Sequence, residues 1–169
     1  SDIFKLKGFE HKFDLIICHD VIEHIKDKAT FLSNLPKYIN SEGIIFMSFP
    51  AWQMPFGGHQ QICKSKIISH FPFIHLLPAS IYKGILKIGG ENISCIEELL
   101  SIKETKTPIE LFEKLAHKKR MTVINRQLFF ISPHYEIKFR LSPRKLSSII
   151  ASIPYLRNFF TTSCFYILK

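Results

Sequence analysis

Paired cysteines are the first thing missing from this sequence of 169 residues. Cys18, Cys63, Cys95 and Cys164 form no CxxC pair and no ladder of short spacings, so a disulfide framework is not expected. Cys18 and Cys164 lie inside apolar strand patterns, where a free thiol behaves as a small hydrophobe. A reduced, cytoplasmic compartment is the expectation that follows. Long hydrophobic runs are missing too. The longest charge-free apolar stretch, Ile67 to Tyr82, is broken by His70, Pro72, His75 and Pro78 and is too short to span a bilayer. No secretory signal is visible, no segment is of low complexity, and no internal repeat is found. With 46% apolar residues the chain has the material for a core, which excludes a disordered class. A concentrated basic tract is also absent. The net charge of +9 favours anionic partners, but the lysines are scattered, which weighs against nucleic acid. A phosphorylated or lipid-linked substrate, or an anionic membrane surface at the inner face of a membrane, fits that charge better. Lys64, Lys66, Lys83 and Lys87 flank apolar segments in a pattern suited to such a surface.

What is present is concentrated between Phe13 and Pro50. Phe13-Asp14-Leu15-Ile16-Ile17-Cys18-His19 reads as a buried strand, followed by Asp20-Val21-Ile22-Glu23-His24 at its carboxyl end. Gly43 to Phe49 reads as a second strand, closed by Pro50. Between them Lys26 to Ile39 predicts a crossover helix, with Phe31, Leu32, Leu35, Tyr38 and Ile39 at helical spacing and Pro36 disturbing its last turns. Asn40-Ser41-Glu42-Gly43 reads as a turn, with Gly43 free to take positive φ. Continuous apolar strands joined by a helix predict a parallel sheet covered on both faces, with ligands outside its carboxyl rim. The first core strand begins almost at once after Ser1, so an amino-terminal half is expected to be missing.

Further on, Thr107-Pro108-Ile109-Glu110 reads as a capping box opening a helix that ends in His117-Lys118-Lys119-Arg120. Met121 to Ile131 reads as a strand stopped by Ser132-Pro133, and Ser142-Pro143 as the start of a short helix through Ile150. Thr161 to Leu168 reads as a last strand that pairs antiparallel with the one before it. The segment 51–104 is too long for a bare loop and predicts short helices leaning as a cap over the strand ends.

The opening residues carry a resemblance. Asp2-Ile3, then the run from Phe13 through Asp20-Val21-Ile22-Glu23-His24-Ile25, then Ser41 to Pro50 resemble the second half of class I S-adenosylmethionine-dependent methyltransferases, of the type 11/12-like kind. The resemblance implies an α/β fold: a partial Rossmann-like sheet, mostly parallel with the last strand antiparallel, and a helical cap inserted after the fifth strand. Residues 1–169 would then be the carboxyl-terminal part of a single methyltransferase domain, with 51–104 as its cap and substrate region. It implies S-adenosyl-L-methionine as cofactor, with Asp2 accepting a hydrogen bond from the adenine amino group, Ile3 beside the ring, and His19 and Asp20 lining the methionine portion. The family's glycine-rich loop and ribose-binding acid are not found in this sequence, and Gly89-Gly90 follows no strand. The chain alone is therefore expected to bind the cofactor poorly and to be inactive by itself.

Methyl transfer from a sulfonium needs alignment and at times a base. His24 and His59 are the candidate catalytic residues, since both fall at the rim. Paired Gly57-Gly58 before His59 would let backbone approach a ligand; pinning the cap to the core is the alternative role for His59. Asp20, Glu23, His24 and His59 also form a plausible divalent-ion set, similar to that of metal-binding small-RNA 2'-O-methyltransferases. The main expectation has no metal and gives Glu23 and His24 a packing role. Trp52 and Phe56 could stack on a substrate or pack the cap, and His70, His75, His117 and His134 read as surface or packing residues. Three functions remain in play: methyl transfer to a small-molecule or lipid-linked acceptor, metal-assisted RNA 2'-O-methylation, and a non-catalytic methyltransferase-like binding module. The acceptor and the oligomeric state stay open.

Overall fold

A computed structural model describes residues 12–169. Its centre is a five-stranded sheet in the order β1-β2-β5-β3-β4. Strands β1 (Phe13–His19) and β2 (Ile39–Phe49) are parallel, while β5 (Ser163–Leu168) runs antiparallel to both β2 and β3 (Val123–Ile131). β3 thus points the same way as β1 and β2, and the inserted β5 is the reversed strand. Its neighbours on both sides explain why β5 alternates so weakly: Cys164, Tyr166 and Leu168 face the core, and Phe165 packs at steep ring angles between Phe46 and Phe129 on the other face.

One sheet face carries the main core. Ile45, Met47, Phe49, Leu128, Cys164 and Tyr166 pack there beneath α1 (Lys28–Asn34) and α5 (Ile109–Lys118). Phe49, Phe112 and Tyr166 form an aromatic triad with centroids 4.7 to 5.9 Å apart. On the other face Leu15, Ile17 and Ile44 are exposed, so among the described residues the sheet is covered on one side at β1, not on both as the apolar runs predicted.

The crossover differs from expectation in a readable way. α1 is capped by Asp27, whose carboxylate accepts from Thr30 N at 2.9 Å, and a 3-10 helix over Leu35–Tyr38 replaces the turns that Pro36 cannot continue. The expected turn at 40–43 is instead the start of β2, where a bulge sets Phe13 opposite Ile39 but Leu15 opposite Ile44. Gly43 is not at positive φ; a Cβ there would lie 2.5 Å from Ile39 Cγ1 and 3.0 Å from the Asp14 carbonyl oxygen. Close approach, not backbone handedness, requires glycine.

α5 forms as expected but is capped from elsewhere. Thr107 makes no cap bond; Pro108 occupies that position, and Asn158 Oδ1 accepts from Ile109 N at 2.8 Å. Glu110 turns outward to accept from Tyr155 N, Arg157 Nε and Asn158 Nδ2. Arg157, almost fully buried, also donates to Glu113 at 2.6 Å. Ser142-Pro143 opens no helix: Arg144–Lys145 is the two-residue β4 paired with β3, and the helix that follows is confined to Ser148–Ala151 (α7). His134–Phe139 (α6) is a helix the pattern did not announce, and Leu156–Phe159 (α8) leads into β5.

Residues 51–104 contain α2 (Lys66–His70), α3 (Ala79–Ile88) and α4 (Ile93–Glu104), with 3-10 helices at Gln60–Ile62 and Ile74–Leu76. They share their own apolar cluster around Tyr82, Leu86 and Leu99. Lys28 ties this segment to the sheet: its buried ammonium donates to the carbonyls of Ile25 and Thr105. No helix among the described residues is long and apolar enough to cross a membrane.

Candidate active site

The carboxyl ends of β1, β2 and β3 and the amino end of β5 meet at one rim, and a cavity of about 320 Å³ opens there. His19 and Asp20 from the end of β1, Gly58 and His59 from the loop after β2, Tyr135 and Lys138 from α6 all line it. The two stretches singled out in the sequence therefore edge one hollow. Asp2 and Ile3 lie outside the described residues.

Each rim residue is held in a particular way. The Asp20 N–H donates to the Ser48 carbonyl at 3.0 Å, stitching the end of β1 to β2, and its φ of 50° turns the chain sharply off the strand. His19 Nδ1 shares a hydrogen bond with the Ser48 hydroxyl, and its Nε2 lies 3.5 Å from Asp20 Oδ2. His59 is also left-handed, at φ 58°, directly after Gly58 at 63°. Aspartate and histidine tolerate that region better than most residues.

His24 and His59 come together edge to face with centroids 4.9 Å apart. Burial holds the His59 imidazole below the usual histidine range, and the neighbouring His24 adds to this. A neutral imidazole at the mouth of a cavity is a competent proton acceptor. Beneath them sits Glu23, only 4% exposed, with no hydrogen-bonding partner for either carboxylate oxygen outside its own residue. Burial pushes its carboxyl up to about 7. Glu23, His24 and His59 present donor atoms within 4.8 Å of one another. Asp20, placed in the same set by the sequence, lies outside that triad.

The glycine pair has a different reason from the one expected. A Cβ on Gly57 would lie 2.6 Å from His75 Nε2, and one on Gly58 would meet the Trp52 ring at 3.0 Å. The glycines let the loop lie on Trp52 and His75. His75, read from sequence as a surface or packing residue, is completely buried and donates from Nε2 to the Trp52 carbonyl at 2.8 Å. His75 thus helps fasten the loop after β2, alongside the contact between the His24 and His59 rings. Trp52 is buried in packing, whereas Phe56 is exposed at the cavity wall.

A second, more apolar cavity of about 480 Å³ adjoins the first and shares Phe56, Gln61, Tyr135 and Lys138 with it. Lys138 Nζ donates to Gln61 Oε1 at 3.1 Å, which links α6 to the loop after β2. Burial, with Asp20 adding to it, raises the Tyr135 phenol above its ordinary range. Gln61, Tyr135 and Lys138 were missed in the sequence. The available signal was that 132–138 directly follow the carboxyl end of a strand, the position where α/β sheets gather ligands.

No family model matches the sequence. The chain is 28% identical over 116 residues to a curated protein described as tRNA U34 carboxymethyltransferase from Aliarcobacter butzleri (strain RM4018). That match takes in 65% of this chain and 37% of the relative, so the chain spans little more than a third of that protein's length. Among solved structures it is similar to PKMT2 from Rickettsia typhi, at 18% identity and a TM-score of 0.47 over 99% of this chain and 37% of that one. The same protein in complex with AdoHcy gives 18% identity and a TM-score of 0.43 over 98% of this chain and 38% of that one.

Proposed function

We infer that this chain is a stretch of a class I S-adenosylmethionine-dependent methyltransferase domain, and that its rim cavity serves methyl transfer. The observation that carries the reading is the convergence of His19, Asp20 and His59 on one cavity at the carboxyl rim of a sheet whose reversed strand β5 lies between β2 and β3. The cavity fits part of such a cofactor. His19 and Asp20 stand where the methionine portion would lie, and Asp20 is a carboxylate on an exposed, sharply turned backbone that suits a cationic amino group. When bound, S-adenosylmethionine supplies a methyl carbon that is already electrophilic. The chain's own part is orientation and proton removal. Asp20 and His19 orient; His59, held neutral by burial, accepts the acceptor's proton; His24 packs edge-on against it and fixes its ring.

The adjoining cavity is the acceptor's place in this reading. Phe56 and Tyr135 offer faces for a planar ring, and Lys138 offers charge to an anionic substituent. A nucleotide combines both groups. The net charge of +9 and the similarity to a tRNA U34 carboxymethyltransferase support the same acceptor class. Scattered lysines are thus no ground for setting nucleic acid aside, and a ring-bearing nucleotide replaces the small or lipid-linked acceptor as the favoured reading. Lys64, Lys66, Lys83 and Lys87 are all exposed and remain available to an anionic surface.

A second reading has one observation in its favour: the donor triad of Glu23, His24 and His59, whose buried carboxylate has no outside partner. That set suits a divalent ion assisting 2'-O-methylation of RNA. Transfer of a tritiated methyl group from S-adenosylmethionine to RNA, by the full-length protein carrying this sequence, tests both. His59→Asn is expected to lower kcat by about a hundredfold or more, with the KM for cofactor little changed. Undiminished turnover in that variant would refute the base assignment. Activity that survives a chelator favours the metal-free reading; activity lost to the chelator and restored by a divalent ion, in a Cys63→Ser/Cys95→Ser variant as well as in the parent, favours the second.

A further inference from the structure

We propose that Cys63, Glu91 and Cys95 form a binding site for a thiophilic divalent cation of the zinc class, closed on its inner side by Tyr82. One ligand atom from each of the three lies within 4.8 Å of the other two. They come from three places: Cys63 follows the 3-10 helix at Gln60–Ile62, Glu91 sits in the turn between α3 and α4, and Cys95 is in the first turn of α4. Two thiols and a carboxylate match zinc's preference for sulfur and hard oxygen in a tetrahedral set with a fourth position left for another oxygen.

The carboxylate is positioned before any ion arrives. The Lys64 and Ser65 N–H groups donate to Glu91 Oε2 and Oε1 at 3.0 and 2.9 Å, fixing both oxygens beside the thiols. An independent observation points into the same spot. The Tyr82 hydroxyl is fully buried and has no hydrogen-bond partner, in a protein interior where nearly every such group finds one. After burial itself, the groups acting on that phenol are Cys63, Cys95 and Glu91, so the orphan oxygen stands near the cluster. A water or hydroxyl bridging ion and phenol would satisfy it.

Without an ion both thiols stay protonated. Burial pushes Cys63 up to about 12 and raises Cys95 as well, with the Glu91 carboxylate contributing to each. Binding therefore breaks two S–H bonds: each electron pair becomes a sulfur–metal bond and each proton goes to solvent, two per divalent ion. The ion would staple the segment carrying Gln61, a cavity-wall residue, to the α3–α4 hairpin.

The test uses the unmodified chain in its reduced form, with zinc chloride and cobalt chloride as probes. Zinc is expected to slow alkylation of Cys63 and Cys95 at least tenfold while leaving Cys18 and Cys164, buried in the sheet core, at their own rates. Cobalt is expected to give a thiolate charge-transfer absorption, and zinc to release two protons per ion, so that apparent affinity climbs by up to about a hundredfold per pH unit. Saturating zinc should raise Tm by roughly 5 °C. Alkylation rates unchanged by zinc would overturn the proposal. So would a freshly isolated chain already bridged between Cys63 and Cys95, two hydrogens lighter, or a cobalt band that persists in a Cys63→Ser/Cys95→Ser variant. If that variant does not fold, the alkylation rates of the unmodified chain decide the matter.

Discussion

Acidification should loosen the loop after β2 through a single imidazole. His75 has no exposed surface; its Nε2 donates to the Trp52 carbonyl, and its Nδ1 faces no partner. The Lys103 ammonium donates to the His75 carbonyl at 2.6 Å, so a second positive charge stands close by. A proton on Nδ1 would gain no acceptor and would be desolvated, which pushes His75 down from 6.5 to about 4. The unfolded chain binds that proton near 6.5 and the folded chain only near 4, so stability is lost as pH falls through this window and is flat above it. At 1.36 kcal/mol per pH unit the full effect is about 3 kcal/mol. Urea unfolding can be followed by the fluorescence of Trp52, the only tryptophan, which His75 contacts edge-on at 4.9 Å. His75→Gln keeps an amide donor for the Trp52 carbonyl and cannot titrate. Between about pH 6.5 and about pH 4.5 the parent chain should lose about 2 kcal/mol more than this variant. Parallel stability curves for the two chains would refute the assignment.

Glu23 should act with the opposite sign. Its carboxyl, raised by burial from 4.5 to about 7, contributes stability that is complete below 4.5 and lost as pH rises through about 7. Glu23→Gln should therefore flatten the stability curve over that range and be about 2 to 3 kcal/mol better than the parent at about pH 8, read from urea midpoints. Asn158→Ala removes the cap on Ile109 N and one donor to Glu110, and is expected to cost about 2 kcal/mol with an unchanged urea m-value.

The strands β1 and β2 were legible because their apolar runs are long and end in polar clusters. Their parallel direction followed from the helix expected between them, and the antiparallel pairing of the last two strands was legible in the chain itself, with the resemblance in agreement. Where prediction strayed, a distant residue had taken over a local role. The cap of α5 comes from Asn158, 49 positions away in sequence from Ile109, so no reading of Thr107-Pro108 could reveal it. The 40–43 segment has turn chemistry, yet pairing with β1 draws it into a bulged strand. At the rim, Asp20, His24 and His59 stood out in the sequence from their place after apolar runs. Gln61, Tyr135 and Lys138 were not, because the pairing of β3 with β5 is what brings α6 to the rim. His75 looked ordinary because its partners, the Trp52 carbonyl and ring and the paired glycines, lie about twenty positions away in sequence and leave no local pattern around it.

The placement of β5 has a consequence for how the molecule assembles on the ribosome. Among the described residues β3 reaches the sheet only through β5, which emerges later in synthesis than every other strand. Until then β3 and β4 can at most form a detached ribbon, and Tyr135 and Lys138 hang from it unplaced. The rim cavity would thus take shape only once this segment zips between the two waiting edges of β2 and β3.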